Sequence, residues 1–147
     1  MALAENKKVH FDYEILEEIE AGLELLGTEV KSLRAGRGKL EGARVLARGG
    51  EAYLVGASIP AWQVANAPTH YDAERPRRLL LSQKQIMSVA SAESQKGLTI
   101  VPIRVYNKGQ VLKLLIAIAR GKKKGDKRQL LKERDENRRI DRTLKNK

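Results

Sequence analysis

Residues 98–119 read LTIVPIRVYNKGQVLKLLIAIA and contain two β-rich runs, Leu98–Tyr106 and Gln110–Ala119. The turn residues Asn107-Lys108-Gly109 separate these runs. Apolar and β-branched residues on both sides of a short turn that contains glycine are typical of an antiparallel hairpin. This stretch therefore predicts a β-hairpin and favours a mainly β fold.

The stretch from Phe11 to Leu25 also has the pattern of a strand. Its apolar residues fall mainly on odd positions and its glutamates mainly on even ones. A period of two indicates a strand with one buried face. A helical spacing competes, but Gly22 weakens a helix more than it weakens a bent strand. We expect a strand whose solvated face carries Glu14, Glu18 and Glu20.

A second hairpin and a long loop are predicted in the middle of the chain. Gly49-Gly50 separates the short runs Ala43–Arg48 and Glu51–Val55, which is a hairpin signal. Residues 60–76 contain Pro60, Pro68 and Pro76 and read as irregular. A loop of this length in a compact domain is either mobile or functional.

Cap residues predict two helices. The first spans 27–36, with Thr28 as its N-cap, Glu29 at the positive end of the helix dipole and Gly36 at the exit. The second begins at Ser82, has a capping box completed by Gln85, and runs to about Gln95. At least five strands and two helices result. Antiparallel hairpins of this number commonly curl, so we predict a small barrel of the oligonucleotide-binding kind with flanking helices.

Positive charge is concentrated at the C-terminal end. The 147-residue chain has a net charge of +11, and residues 120–147 hold 13 Lys/Arg against 5 Asp/Glu. Such a balance favours a polyanion as the partner, because released counterions drive binding. We divide the chain into a body, 1–119, and a basic tail, 120–147. The tail lacks a wide apolar stripe, so we expect it to be disordered when free and helical against a polyanion; a helix packed weakly through its few leucines is the alternative.

Several functional classes are disfavoured. The chain has no cysteine, and His10 and His70 lack the spacing of a metal pair, so we expect neither a metal nor a cofactor. The phosphate-binding and dinucleotide fingerprints are absent, and nothing argues for an enzyme. No stretch approaches the roughly 18 apolar residues of a membrane span, and the N-terminus has no apolar signal segment. We expect a cytoplasmic monomer without a membrane partner.

Four motifs in order resemble the small protein B family. They are Glu20-Ala21-Gly22 with the following stretch 27–36, Gly50-Glu51-Ala52-Tyr53-Leu54, Arg75-Pro76-Arg77-Arg78-Leu79-Leu80-Leu81, and residues 120–128, RGKKKGDKR. The resemblance implies a protein that binds the tRNA-like domain of transfer-messenger RNA (tmRNA) and brings it to stalled ribosomes for trans-translation. It implies tmRNA and the small-subunit rRNA of the decoding centre as partners, and alanyl-tRNA synthetase and elongation factor Tu as indirect ones.

The resemblance also implies site residues. RNA contacts in the body map onto Glu20, Leu80 and Lys113, with Asn6, Lys7 and Lys8 as additional contacts. Lys113 suits a phosphate. Leu80 either packs on an unstacked base or belongs to the core. Glu20 either accepts from base amino groups or a 2′-hydroxyl, orients a basic neighbour, or is a solvated strand residue.

In the tail, the resemblance implies a hinge and a set of ribosome contacts. They are Gly121, Lys122, Lys123, Asp126, Lys127, Arg128, Lys132, Arg134, Arg138 and Arg142. Gly125 departs from the family, because many members carry a histidine or tyrosine there that could stack on a decoding-centre base. Two alternatives stay open: a general RNA-binding or ribosomal protein with a basic extension, and a small enzyme acting on RNA.

Overall fold

The fold is built around the hairpin of residues 98–119. The computed structural model describes residues 2–63 and 70–122. In this part of the chain seven strands and three helices follow one another: β1 Ala2–Glu5, α1 Val9–Asp12, β2 Tyr13–Leu23, α2 Gly27–Arg34, β3 Arg44–Arg48, β4 Glu51–Val55, β5 Arg77–Leu80, α3 Gln83–Glu93, β6 Leu98–Lys108 and β7 Val111–Gly121.

One curled antiparallel sheet contains all of these strands, in the order β1-β6-β7-β2-β5-β4-β3. At its far end β3 lies close to β6, so the sheet curls back on itself and β1 remains as an outer edge strand. Most of the buried side chains, including Ile19, Leu79 and Leu114, fill the interior. The predicted mainly β barrel with flanking helices is confirmed.

The β6–β7 hairpin has a tighter turn than predicted. Lys108 pairs with Val111, so only Gly109 and Gln110 form the turn, and Gly109 adopts a φ of 64°. This left-handed conformation is one that glycine reaches without a steric cost. The two-residue turn fixes the register of the hairpin and places Tyr106 opposite Lys113.

Strand β2 differs from its prediction in two ways. It begins at Tyr13, because the residues before it form the short helix α1. A bulge at Leu16 then shifts the register against β7. An extra residue in a strand reverses the faces that follow it, so Ile15 packs on the outside of the sheet whereas Ile19 packs in the interior. The prediction of one continuous buried face was therefore wrong.

The helix predictions hold except for one cap. Leu26, not Thr28, is the N-cap of α2, and the Thr28 hydroxyl accepts the Trp62 N–H at 2.7 Å instead. Gly36 takes the left-handed exit conformation, with φ 77°. In α3, Ser82 and Gln85 form the predicted capping box. The second hairpin, with Gly49-Gly50 at its turn, is also as predicted.

Candidate nucleic-acid interface

Four residues lie side by side across the outer face of the sheet. Leu80 on β5 pairs with Gly22 on β2, Gly22 pairs with Lys113 on β7, and Lys113 pairs with Tyr106 on β6. Side chains at directly opposed positions of neighbouring strands lie on the same face of the sheet. We call Leu80, Gly22, Lys113 and Tyr106 the outer row. It brings together Leu80 and Lys113, which the resemblance had named separately.

Leu80 lies over Gly22 and remains open to solvent. Its neighbour Leu79 is fully buried, whereas Leu80 is 48% exposed. A Cβ atom on Gly22 would come within 3.0 Å of the Leu80 Cβ, so the glycine is what allows this close approach. The reading of Leu80 as a core residue is therefore wrong, and its apolar surface faces outward.

Lys113 is half-buried, and no hydrogen bond or ion pair holds its ammonium group among the residues that the structure describes. Arg104 lies on the same face near Tyr106, with its guanidinium carbon 5.8 Å from the ring centroid. The Lys113 charge interacts with the nearby Glu20 carboxylate, but an ammonium group that no hydrogen bond holds is available to a phosphate group.

Glu20 lies two residues before Gly22 on the same face of β2. The phenol of Tyr106 donates to its Oε2, and the Lys108 ammonium group donates to its Oε1 at 2.9 Å. These two hydrogen bonds, the one from Tyr106 above all, lower the pKa of the Glu20 carboxyl. Burial and the bond to Glu20 raise the pKa of Tyr106 to about 12. Glu20 is therefore an ionised residue that is engaged by two neighbours.

The N-terminal candidates lie elsewhere. Asn6 is 8% exposed, its N–H donates to the Ile103 carbonyl at 2.8 Å, and its side-chain amide donates to the Pro102 carbonyl at 3.3 Å. The structure thus gives Asn6 a role in attaching the N-terminal segment to β6, not an exposed position for RNA. Lys7 and Lys8 are exposed, but they follow β1 away from the outer row.

The tail candidates fall at or beyond the end of the described chain. Gly121 pairs with Tyr13 at the end of β7, and the Lys122 ammonium group donates to the His10 carbonyl at 2.8 Å. The other tail residues named above, from Lys123 to Arg142, and Gly125 with them, lie outside the described residues.

Tyr106, Arg104 and Lys108 were not predicted as site residues from the sequence. The predicted turn, Asn107-Lys108-Gly109, did not place Tyr106 opposite Lys113; the two-residue turn of the structure does. Nothing in the sequence indicated that its phenol would reach Glu20, since β2 and β6 are separated by β7 in the sheet.

Two searches of the described residues were negative. None of the helices there is long and apolar enough to cross a membrane. Among residues 2–63 and 70–122, no group of three or more histidine, aspartate or glutamate side chains could hold a metal ion.

The fold and the outer row define a small antiparallel barrel protein that presents apolar, aromatic and cationic side chains on one open sheet face. A model of the SmpB protein family matches residues 3–146, and the chain belongs to this family. It is 46% identical to an SsrA-binding protein of Lactobacillus helveticus (strain DPC 4571) over 138 residues, which are 94% of this chain and 90% of that protein. It is also 46% identical to an SsrA-binding protein of Synechococcus sp. (strain JA-3-3Ab) over 144 residues, 97% of this chain and 93% of that protein.

A solved structure gives the same result. A chain described as "tmRNA-SmpB: a journey to the center of the bacterial ribosome" is 38% identical to this one, with a TM-score of 0.68. The alignment covers 86% of this chain and 92% of that chain. The resemblance stated from the four sequence motifs is confirmed.

Proposed function

We propose that this protein binds the tRNA-like domain of tmRNA through its outer row and delivers that RNA to stalled ribosomes for trans-translation. The observation that carries the proposal is the placement of Leu80 and Lys113 on either side of Gly22 on one exposed sheet face. An exposed leucine can pack on an unstacked base while a neighbouring lysine binds a phosphate. The names of the SsrA-binding relatives and of the tmRNA-SmpB structure support the choice of RNA.

Under this proposal the protein is a cytoplasmic adaptor without catalytic activity. The body, 1–119, holds the RNA. The tail, 120–147, acts in the decoding centre and the mRNA channel through the positions from Gly121 to Arg142 named above. Its charge supports this role, because a segment with 13 Lys/Arg and 5 Asp/Glu suits an RNA-lined channel. Alanyl-tRNA synthetase and elongation factor Tu would act on the same RNA and meet the protein only through it.

The first experiment measures binding to full-length tmRNA, with ordinary tRNA as competitor, at two salt concentrations. We expect binding that survives excess tRNA at the higher salt concentration, because contacts made by the outer row add to the general attraction of the positive charge. If excess tRNA and higher salt each abolish tmRNA binding to the same extent, the result would instead support a general RNA-binding protein with a basic extension.

A second experiment separates the body from the tail. Truncation after Lys122 keeps the two hydrogen bonds of Lys122 with α1. We expect the truncated protein to keep its tmRNA affinity and to lose tagging of stalled chains in a reconstituted translation system. A large loss of affinity on truncation would contradict the division into body and tail.

A further inference from the structure

The carboxylate of Glu20 is the unusual member of the proposed RNA face, because a negative charge repels phosphates. Its two oxygen atoms are bound to different partners. The phenol of Tyr106 occupies Oε2 and the ammonium group of Lys108 occupies Oε1. These partners reach Glu20 from β6, across the intervening strand β7. The carboxylate therefore connects two strands that do not pair with each other.

Tyr106 is suited to contact a base. Its ring lies next to Lys113 in the outer row, and it packs against the apolar cluster outside the sheet that includes Ile103 and Leu115. The Arg104 guanidinium group lies 5.8 Å from the centroid of the ring. RNA-binding surfaces commonly stack unpaired bases on aromatic rings that lie among basic side chains.

We propose that Tyr106 is an RNA-contacting residue and that Glu20 is a positioning residue, which acts on the RNA by holding the Tyr106 ring in place. The inference rests on the proposed function, since it assigns roles within the outer face. It differs from a direct contact of Glu20 with the RNA in one measurable respect: the effect of Glu20 must pass through Tyr106.

Binding of the tRNA-like domain to a set of single and double variants tests this. Tyr106→Ala removes the ring, and we expect at least a tenfold loss of affinity, in the range of base–aromatic stacking. Tyr106→Phe keeps the ring but removes the hydroxyl, and Glu20→Ala removes the acceptor; each should weaken binding by a similar, smaller factor. Because both changes break the same hydrogen bond, the double variant should bind little worse than either single one.

Two further readouts distinguish positioning from a contact made by charge. Glu20→Gln keeps an oxygen that can accept from the phenol, so we expect it to restore most of the affinity lost in Glu20→Ala. The ionisation of Tyr106, followed by NMR of labelled tyrosine rings, should move to lower pH in Glu20→Ala, because Glu20 contributes to its raised pKa. Cooperative unfolding close to the parent's melting temperature serves as the check on folding for every variant.

Lys113→Ala and Leu80→Ala in the same assay separate the possible failures. If neither weakens binding, the outer row is not the RNA site, and both the proposed function and this inference fail. If both weaken binding while the losses from Glu20→Ala and Tyr106→Phe multiply in the double variant, Glu20 acts independently of Tyr106 and only this inference is overturned. Full affinity in Tyr106→Ala would also overturn it.

Discussion

Two carboxylates in this protein have the same kinds of partner but very different surroundings. Each accepts a hydrogen bond from a tyrosine phenol; Glu29 also accepts from Arg75 and Arg77, and Glu20 from Lys108. The Glu29 side chain is 0% exposed and that of Glu20 is 36% exposed. The comparison teaches that burial decides the consequence of such a cluster. The buried Glu29 cluster stabilises the fold, whereas the exposed Glu20 cluster positions side chains on the outer face of the sheet.

The buried cluster connects distant parts of the chain. Arg77 donates to Glu29 at 2.7 Å and also to the carbonyls of Ala57 and Ala73, while Arg75 donates to Glu29 at 2.5 Å. Burial alone would raise the pKa of Glu29, but the hydrogen bonds from Arg75, Leu26 and Arg77 outweigh it and lower the pKa. Helix α2 is thereby fixed to β5, the strand that carries Leu80.

The largest expected effect in this comparison is on stability. Glu29→Ala leaves the fully buried Arg77 guanidinium group without its counter-charge, and we expect it to lower the free energy of unfolding by about 3–5 kcal/mol. Urea unfolding followed by circular dichroism measures this. Glu24→Ala is the matched control, because it removes a carboxylate from an exposed pair with Arg78 and should cost far less than Glu29→Ala. An equal loss in the free energy of unfolding for the two variants would contradict the different roles assigned to buried and exposed carboxylates.

The next effect is on RNA affinity. Leu80→Ala should weaken tmRNA binding about tenfold, the equivalent of roughly 1.4 kcal/mol, because it removes the apolar surface offered to a base. Leu16→Ala is a close control, since Leu16 is 45% exposed and Leu80 48%. Leu16 lies near the start of β2, whereas Leu80 pairs with Gly22 near the end of β2. We expect unchanged affinity for Leu16→Ala. The same loss in both variants would show that Leu80 has no special position.

Substitution of Lys113 should change the salt dependence of tmRNA binding more than it changes the affinity at any one salt concentration. Lys113→Ala removes a phosphate contact, so the slope of log affinity against log salt concentration should fall by about one. Lys84→Ala is the control. It removes the same charge from an exposed position on α3, in a groove away from the outer row. We expect its slope to match the parent's. A slope in Lys113→Ala equal to that in Lys84→Ala would contradict the assigned role.

The smallest effect is the dependence on pH of the stability that Glu29 contributes. Its pKa is lowered from the ordinary value of 4.5 in the folded protein, so the unfolded chain takes up this proton at higher pH. The stabilisation is therefore complete above about pH 4.5 and is lost as the pH falls through the lowered pKa. We expect Glu29→Gln to be less stable than the parent at neutral pH, with a difference that narrows below about pH 4.5. A difference that stays constant with pH would contradict this.

The parts of the fold that could be predicted are those with local signals. Gly49-Gly50, the turn at Gly109 and the capping box of Ser82 with Gln85 are each decided by a few neighbouring residues. Strands β1 and β5 were missed, because each has four residues and is stabilised by partners far away in the chain. The bulge at Leu16 was missed although the alternation breaks there, since Ile15 and Leu16 are both apolar and Glu17 and Glu18 are both acidic.

The candidate site divides in the same way. Family resemblance gave Leu80 and Lys113, but only the sheet order and register show that they lie on either side of Gly22, since β5 and β7 pair with opposite edges of β2. Asn6 matched the family by type, yet its environment makes it a buried residue. The Glu29 cluster could not be predicted from the sequence either, because it joins residues up to 48 positions apart.

The most direct test of the account is to map the surface that the RNA covers. Backbone amide resonances of the protein can be followed while the isolated tRNA-like domain of tmRNA is added. The account predicts that the largest shifts fall on the outer row, Leu80, Gly22, Lys113 and Tyr106, and on Glu20 beside it. Shifts that spare these residues and concentrate on α3 or on the β3–β4 hairpin would contradict it.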